Sequence, residues 1–382
     1  MKKGWQTKTL GEICTVDWGN TDLTKSAYVE GGKFLAVSAA GCDGRIGHKE
    51  HEKYTPVLSA IGAQCGRMFL PEEDFTAIKN TITLTPRDGT CTGRFLYQLL
   101  THVELPKRGA AQPFISKGDI QSFQVPVPPL AEQQRIVGLL DEAFEGLATA
   151  KSNAEKNLQN ARALFESHLQ SVFTQRGPGW VENKLKSITR KIGSGATPRG
   201  GGESYKDEGI SLIRSLNVHD LVFKYAKLAF LDDAQADELS NVEVQPRDVL
   251  LNITGASVAR CTIVPDDVLP ARVNQHVSII RPIAEKLDAD FLHYLLISKP
   301  YKDQLLKTGE EGGSTRQAIT KAQIQEFTVE YPATLKEQKT IVAKLDAMLA
   351  ETQRLARLYD RKLVALEALK KSLLHQAFTG EL

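Results

Sequence analysis

Acidic, histidine and glycine-rich clusters are where catalysis would be sought first, and in this 382-residue sequence each falls short of a working set. Asp141-Glu142-Ala143-Phe144 carries the acidic pair of a nucleotide-hydrolysing box, but no G-x-x-x-x-G-K-[ST] loop exists to cradle phosphates. Gly193-Ser194-Gly195 begins like a dinucleotide loop, yet the third glycine of that fingerprint is missing and no strand–loop–helix unit surrounds it. His48 and His51 lack the nearby third ligand that a metal needs. Cys14, Cys42, Cys65, Cys91 and Cys261 form no C-x-x-C pair, which argues against a zinc ribbon or a redox motif. No Asn-Pro-Pro or Asp-Pro-Pro run of an adenine methyltransferase appears. The expectation is a chain without a catalytic site, a metal or a cofactor of its own, which acts by binding.

The elements that position any binding residues are set by an internal repeat. Leu130-Ala131-Glu132-Gln133 and Ile136-Val137 recur as Leu335-Lys336-Glu337-Gln338 and Ile341-Val342, a spacing of 205 positions (130 to 335). The same spacing relates Leu140 to Leu345, Asp141 to Asp346, Leu164 to Leu369 and Phe173 to Phe378. Upstream, Ile115-Ser116-Lys117 recurs as Ile319-Thr320-Lys321, and Gly4-Trp5 as Gly179-Trp180. The second copy has therefore gained about 30 residues inside its globular part and none in the segment that follows.

That fixed segment reads as a long helix in each copy. Pro126, Pro128 and Pro129 break the preceding strand, and no proline follows until past Thr174. Ile136, Leu140, Ala143, Leu147, Ala154, Leu158, Ala161, Phe165 and Leu169 recur at three- and four-residue steps. Ile341, Leu345, Met348, Leu355, Leu363, Leu366 and Leu373 repeat the pattern. At 1.5 Å per residue, each helix would be roughly 65 Å long. A single apolar stripe of that length cannot be buried on a small domain, so two antiparallel helices are expected to pair as a coiled coil. The order is cyclic, which predicts a pseudo-two-fold arrangement with the two chain ends close together.

The fold class expected is α+β: two mixed α/β domains, 1–128 and 179–333, each followed by a helical spacer, 129–178 and 334–382. Strands are expected at Lys33–Ser38, Thr81–Thr85, Val249–Ile253 and His276–Arg281, and short helices at Thr92–Thr101 and Ala289–Lys299. The formal net charge is +2, so any basic footprint must be local. Unpaired cysteine usage and the lack of an apolar leader or membrane-length run fit a cytoplasmic protein with no membrane partner.

The stretch from Gln112-Pro113-Phe114-Ile115 through Val125-Pro126-Val127-Pro128-Pro129-Leu130-Ala131-Glu132-Gln133 resembles the specificity subunits of Type I restriction–modification systems. So do Ile192-Gly193-Ser194-Gly195-Ala196-Thr197-Pro198, Leu251-Asn252-Ile253-Thr254-Gly255-Ala256 with Arg260, and Val273-Asn274-Gln275-His276-Val277. The resemblance covers nearly the whole chain in the family's order. The first domain lacks the Gly-Ser-Gly-Ala-Thr-Pro element. It implies a DNA-specificity subunit in which each domain reads half of an asymmetric bipartite duplex site and the helices set the gap. It implies two methyltransferase subunits docked on the helical region, through the turns bearing Leu130, Glu132, Gln133, Ile136, Leu335, Glu337, Gln338 and Ile341, and motor/nuclease subunits beyond them. S-adenosylmethionine, ATP and magnesium would belong to those partners.

Residue type then selects DNA contacts: Arg, Lys, Ser and Thr for phosphates, Arg for guanine, Asn and Gln for adenine. In the first domain these are Arg45, Lys49, Arg67, Lys79, Asn80, Lys107, Arg108 and Gln112. In the second they are Ser194, Thr197, Arg199, Arg214, Asn217, Arg260, Asn274, Gln275 and Arg316. Ile61-Gly62-Ala63 with Gly66-Arg67 matches Thr254-Gly255-Ala256 with Ala259-Arg260, so Arg67 and Arg260 occupy equivalent places. The rival reading is a structural adaptor that recruits proteins through its coiled coil and reads no DNA.

Overall fold

The computed structural model describes residues 4–310 and 318–382. It divides into two compact units, Met1–Lys156 with Tyr359–Leu382, and Asn157–Leu358. The two long helices are Leu130–Thr174 and Leu335–Thr379, each 45 residues, so the fixed spacing seen in sequence holds at both ends. Each unit contains the beginning of one long helix and the end of the other. No helix among the described residues is long and apolar enough to cross a membrane.

In the first unit, Gln6–Thr9 pairs antiparallel with Gln124–Val127, so the globular domain closes on its own last strand just before Pro128 and Pro129. Between them lie two sheets. One runs Cys14–Trp18, Thr81–Pro86, Val57–Ser59, Met68–Phe69, all antiparallel. The other runs Gly41–Ile46, Phe34–Ser38, Phe75–Ala77, the last two parallel. Helix Gly93–His102, capped by the Thr92 hydroxyl, points Phe95, Leu96, Leu99 and Leu100 into the core. Ile136, Val137 and Leu140 join that core from the first long helix, and Leu374, Ala377 and Phe378 from the second. Phe95 and Phe378 meet edge to face, with centroids 5.6 Å apart.

The long helices run antiparallel within this unit. Arg135 donates to the Leu382 carbonyl at 2.8 Å, the Lys370 ammonium sits 5.0 Å from the centre of the Phe144 ring, and Lys151 pairs with Glu367 at 2.8 Å. As one helix advances, its neighbour recedes. Gly4 lies against Pro129, so the two ends of the described chain both sit beside the start of the first long helix.

The second unit repeats this plan. Trp180–Lys184 pairs with Thr328–Pro332. One sheet orders Thr189–Ser194, Val277–Pro282, Val249–Asn252, Cys261–Ile263, and the other Ala229–Leu231, Ile210–Ile213, Ala271–Val273, Glu243–Val244. Ile210–Ile213 and Ala271–Val273 are parallel, as their counterparts are. Phe165, Leu169 and Phe173 of the first long helix and Val342 and Leu345 of the second enter this core. Phe173 meets Phe291 edge to face at 5.4 Å. The coiled-coil expectation needs one refinement: the ends of both stripes are buried in the domain cores, not solely against the other helix.

The expected short elements are found to within about two residues, except beyond residue 297. There the helix Ala289–Ile297 is followed by a second, Lys299–Glu310. Pro300 falls in that helix's first turn, where a missing N–H costs nothing, so it starts a helix and does not end one. Part of the second domain's extra length is this helix, and part is the hairpin Val218–His219 with Val222–Phe223 and the helix Asp233–Glu238.

Candidate nucleic-acid interface

Both domains present the same loop. In the first, Arg67 N–H binds the Gln64 carbonyl, Gly66 N–H binds Ser59, and Ser59 N–H returns to the Arg67 carbonyl. In the second, Arg260 binds Ser257, Ala259 binds Asn252, and Asn252 returns to Arg260. Gly62 and Gly255 share positive φ (104° and 70°), as do Gly66 and Ala259 (90° and 65°). Alanine in this left-handed conformation is strained, so the backbone shape is held by its surroundings. A bridge just before the pre-helix segment flanks each loop, with Ile115 N–H bound to the Ala60 carbonyl and Ile319 N–H to the Ile253 carbonyl. Sequence divergence is thus draped over one repeated backbone.

The first-domain candidates fall into three places. Arg67, Lys107, Arg108 and Gln112 gather at the loop: Phe114 bridges both Ile61 and Arg108, and the Lys107 side chain reaches over Gly66. Arg67 lies 5.4 Å from the Phe69 ring centre and bonds Gln64 at 3.3 Å. Arg108 pairs with Asp119, whose carboxyl is held below its usual range by the Ser116 hydroxyl and then by Arg108. Exposed Phe114 sits among these cations. Elsewhere, Arg45 grips Glu73 through two bonds at 2.7 and 3.2 Å, and Lys49 pairs with Asp74 at 2.6 Å. DNA would have to displace both carboxylates, as it would Asp119 from Arg108. Lys79 and Asn80 form the turn before Thr81–Pro86; Asn80 takes a φ of 72° and its carbonyl binds Ala60.

In the second domain a polar chain crosses the loop face. The Thr197 hydroxyl donates to Gln275 Oε1, Gln275 Nε2 lies 3.2 Å from His276 Nε2, and His276 Nδ1 lies 2.6 Å from the Thr254 hydroxyl. A neutral ring with its proton on Nδ1 satisfies every link: it donates to Thr254 and accepts from Gln275. Thr254 and His276 were not selected from sequence, although both stand inside quoted motifs. Ser194 ends the strand that leads into this loop. Arg199 is exposed and Arg260 half-buried, and neither has a side-chain partner among the described residues.

Two candidates are corrected by burial, and a third is engaged within the domain. Asn217 is fully buried; its amide accepts from Arg214 N–H at 3.0 Å and donates to the Lys224 carbonyl at 2.8 Å, so it closes a turn and reads nothing. Asn274 is also buried, its Oδ1 accepting from His276 N–H at 3.0 Å. Arg214 is half-buried over the Tyr205 ring and donates to the Lys227 carbonyl. Arg316 lies outside the described residues.

The helix-start candidates are corrected in part. Gln133 is fully buried: its Oε1 accepts from Thr92 N–H at 2.9 Å, and its Nε2 donates to the Thr90 and Pro128 carbonyls at 3.0 and 2.9 Å. Gln338 does the same with Asp288 N–H at 2.7 Å and the Lys286 and Pro332 carbonyls at 3.0 and 2.9 Å. Each glutamine locks its long helix to the start of its own domain's helix. Ile136 is buried too, whereas Ile341 and Leu335 are half-buried. Leu130 and Glu337 are exposed; Glu337 accepts from Thr334, and Glu132 from Arg135 at 2.7 Å.

A cation-bearing loop of this kind on each domain is suited to holding a polyanion. The Type I restriction modification DNA specificity domain matches this chain over residues 2–158 and 179–359. The chain is 24% identical over 299 residues to the EcoBI specificity subunit of Escherichia coli, spanning 70% of this chain and 60% of that protein. It is 22% identical over 340 residues to the MjaVIII specificity subunit of Methanocaldococcus jannaschii, covering 84% and 77%. The fold matches the HsdS subunit from Thermoanaerobacter tengcongensis with a TM-score of 0.64 at 21% identity, over 100% and 98% of the two chains. A chain from a structure of a type I R-M system matches with a TM-score of 0.76 at 21% identity, over 100% and 99%. The chain therefore belongs to the Type I restriction–modification DNA specificity family, as a non-catalytic component that selects sequence.

Proposed function

We propose that each globular domain reads one half of an asymmetric bipartite duplex site, that the two long helices set the unread gap, and that two methyltransferase subunits dock on the helical region with motor/nuclease subunits joining them. S-adenosylmethionine, ATP and magnesium belong to those partners in this reading, and the assembly works in the cytoplasm. The observation that carries it is one loop backbone built twice under divergent side chains. Two copies of one identical reader would favour a palindrome; two unlike readers favour an asymmetric site.

The helices enter because they tolerate no length difference, both being 45 residues while the domains differ. Removing four residues at matching positions of both helices shortens each by roughly 6 Å, close to two base pairs at about 3.4 Å each. Methylome sequencing of a host carrying the shortened chain with its methyltransferase should show both half-sites unchanged and the gap reduced. An unchanged gap overturns the spacer role, and half-sites unaffected by swapping a domain favour the adaptor reading.

A further inference from the structure

The second domain carries the hairpin Val218–His219/Val222–Phe223, for which the first has no counterpart. It is fastened on both sides of Arg260. On one side, the Asn252 amide donates to the Ser215 carbonyl at 2.9 Å and the Val218 carbonyl at 3.3 Å, while Asn252 N–H binds the Arg260 carbonyl at 2.8 Å. On the other, Cys261 N–H donates to the Asp220 carboxylate at 3.0 Å. In the first domain, Ser59 and Met68 occupy the places of Asn252 and Cys261. The hairpin and the Arg260 loop are thus one rigid piece.

What this piece exposes is basic and apolar together. Leu216, Val222 and Tyr225 are exposed, and so are Lys224 and Lys227, whose ammonium groups have no partner among the described residues. The hairpin's one carboxylate, Asp220, is already paired with Lys302, and the nearby Asp267 accepts from the Tyr225 hydroxyl at 3.0 Å. Burial first, then the charges of Lys224 and Arg260, hold the His219 imidazole below its usual pKa against the Leu216 carbonyl and Asp220, so both cations lie close to it. Duplex DNA, with about one negative charge per 1.7 Å, matches such a surface. The neighbouring apolar side chains suit the sugar edges of a groove.

We propose that this hairpin is a DNA-contacting arm unique to the second domain, with Lys224 and Lys227 binding backbone phosphates beside the half-site that domain reads. The proposal rests on the reading of the second domain as a DNA reader. It gives the second domain phosphate contacts that the first lacks.

The test uses the full chain with its methyltransferase on the duplex defined by methylome sequencing. The Lys224→Ala/Lys227→Ala variant should bind roughly tenfold more weakly, with a log affinity–log salt slope shallower by about 0.9 per lost contact. Wild-type affinity and slope in the variant overturn the arm while leaving the parent reading intact. Failure of wild type to reject a scrambled second half-site overturns both.

Discussion

The two domains share a plan and differ in how it is secured. In the first, the short helix Leu10–Ile13 is held locally: Glu12 accepts from the Thr9 N–H at 2.6 Å and the Thr9 hydroxyl at 2.8 Å. In the second, Lys184 replaces Thr9 and no side chain caps Leu185–Ile188. Instead Lys184 and Lys186 converge on Glu326 at 2.6 and 2.5 Å. One solution is a hydrogen-bonded turn, the other a charge bridge to a distant helix. Where the long helices join the domains, by contrast, the chemistry is the same in both halves. Variation is permitted on the reading side and at the periphery, and withheld at the joint.

The strongest way to break this comparison is to attack the joint. Replacing Gln133 by leucine strands one buried N–H and two carbonyls, a loss on the order of 3 kcal/mol. Gln338→Leu should cost the same. Urea titration measures both; a difference of more than half would show that the two halves are latched unequally.

A smaller effect sharpens the reading side. Arg67→Ala should weaken binding at the first half-site and Arg260→Ala at the second, each by about 1 kcal/mol with a salt slope shallower by roughly one. Competition assays with duplexes scrambled in one half-site at a time assign each arginine to its half. The same half-site for both arginines would contradict the equivalence of the loops.

The smallest effect concerns acid. The two lysines hold the Glu326 carboxyl down at about 2. A carboxylate with a depressed folded-state pKa stabilises above the ordinary carboxylate range, and this contribution fades as pH falls toward that lower value. The difference in thermal midpoint between wild type and Glu326→Gln should therefore shrink from pH 5 down to pH 2. Glu326 is solvent-exposed, so the difference is small throughout.

The long helices were legible because nothing interrupts their periodicity, and the short elements because glycine, proline and capping residues mark their ends. The duplicated loop was visible as two matching fragments, and the structure shows why they match: the backbone hydrogen bonds of Arg67 and Arg260 are the same. Burial of polar groups was not legible. Asn217 and Asn274 have the type that reads adenine, and Gln133 and Gln338 the type that faces a partner, yet all four are buried and bonded within the protein. Residue type cannot say whether a polar group's partners come from water, a ligand or the backbone, because each satisfies it equally. The arm escaped notice because its cations are ordinary lysines until Asn252 and Asp220 fix where they stand.

The division of the chain also dictates an order of events at the ribosome. The unit spanning Asn157–Leu358 is continuous and can consolidate as soon as its last turn emerges. The other needs Leu374, Ala377 and Phe378 to complete its core, and these are translated only after the whole of the continuous unit. Contrary to the usual N-terminus-first progression, the half made first is finished last.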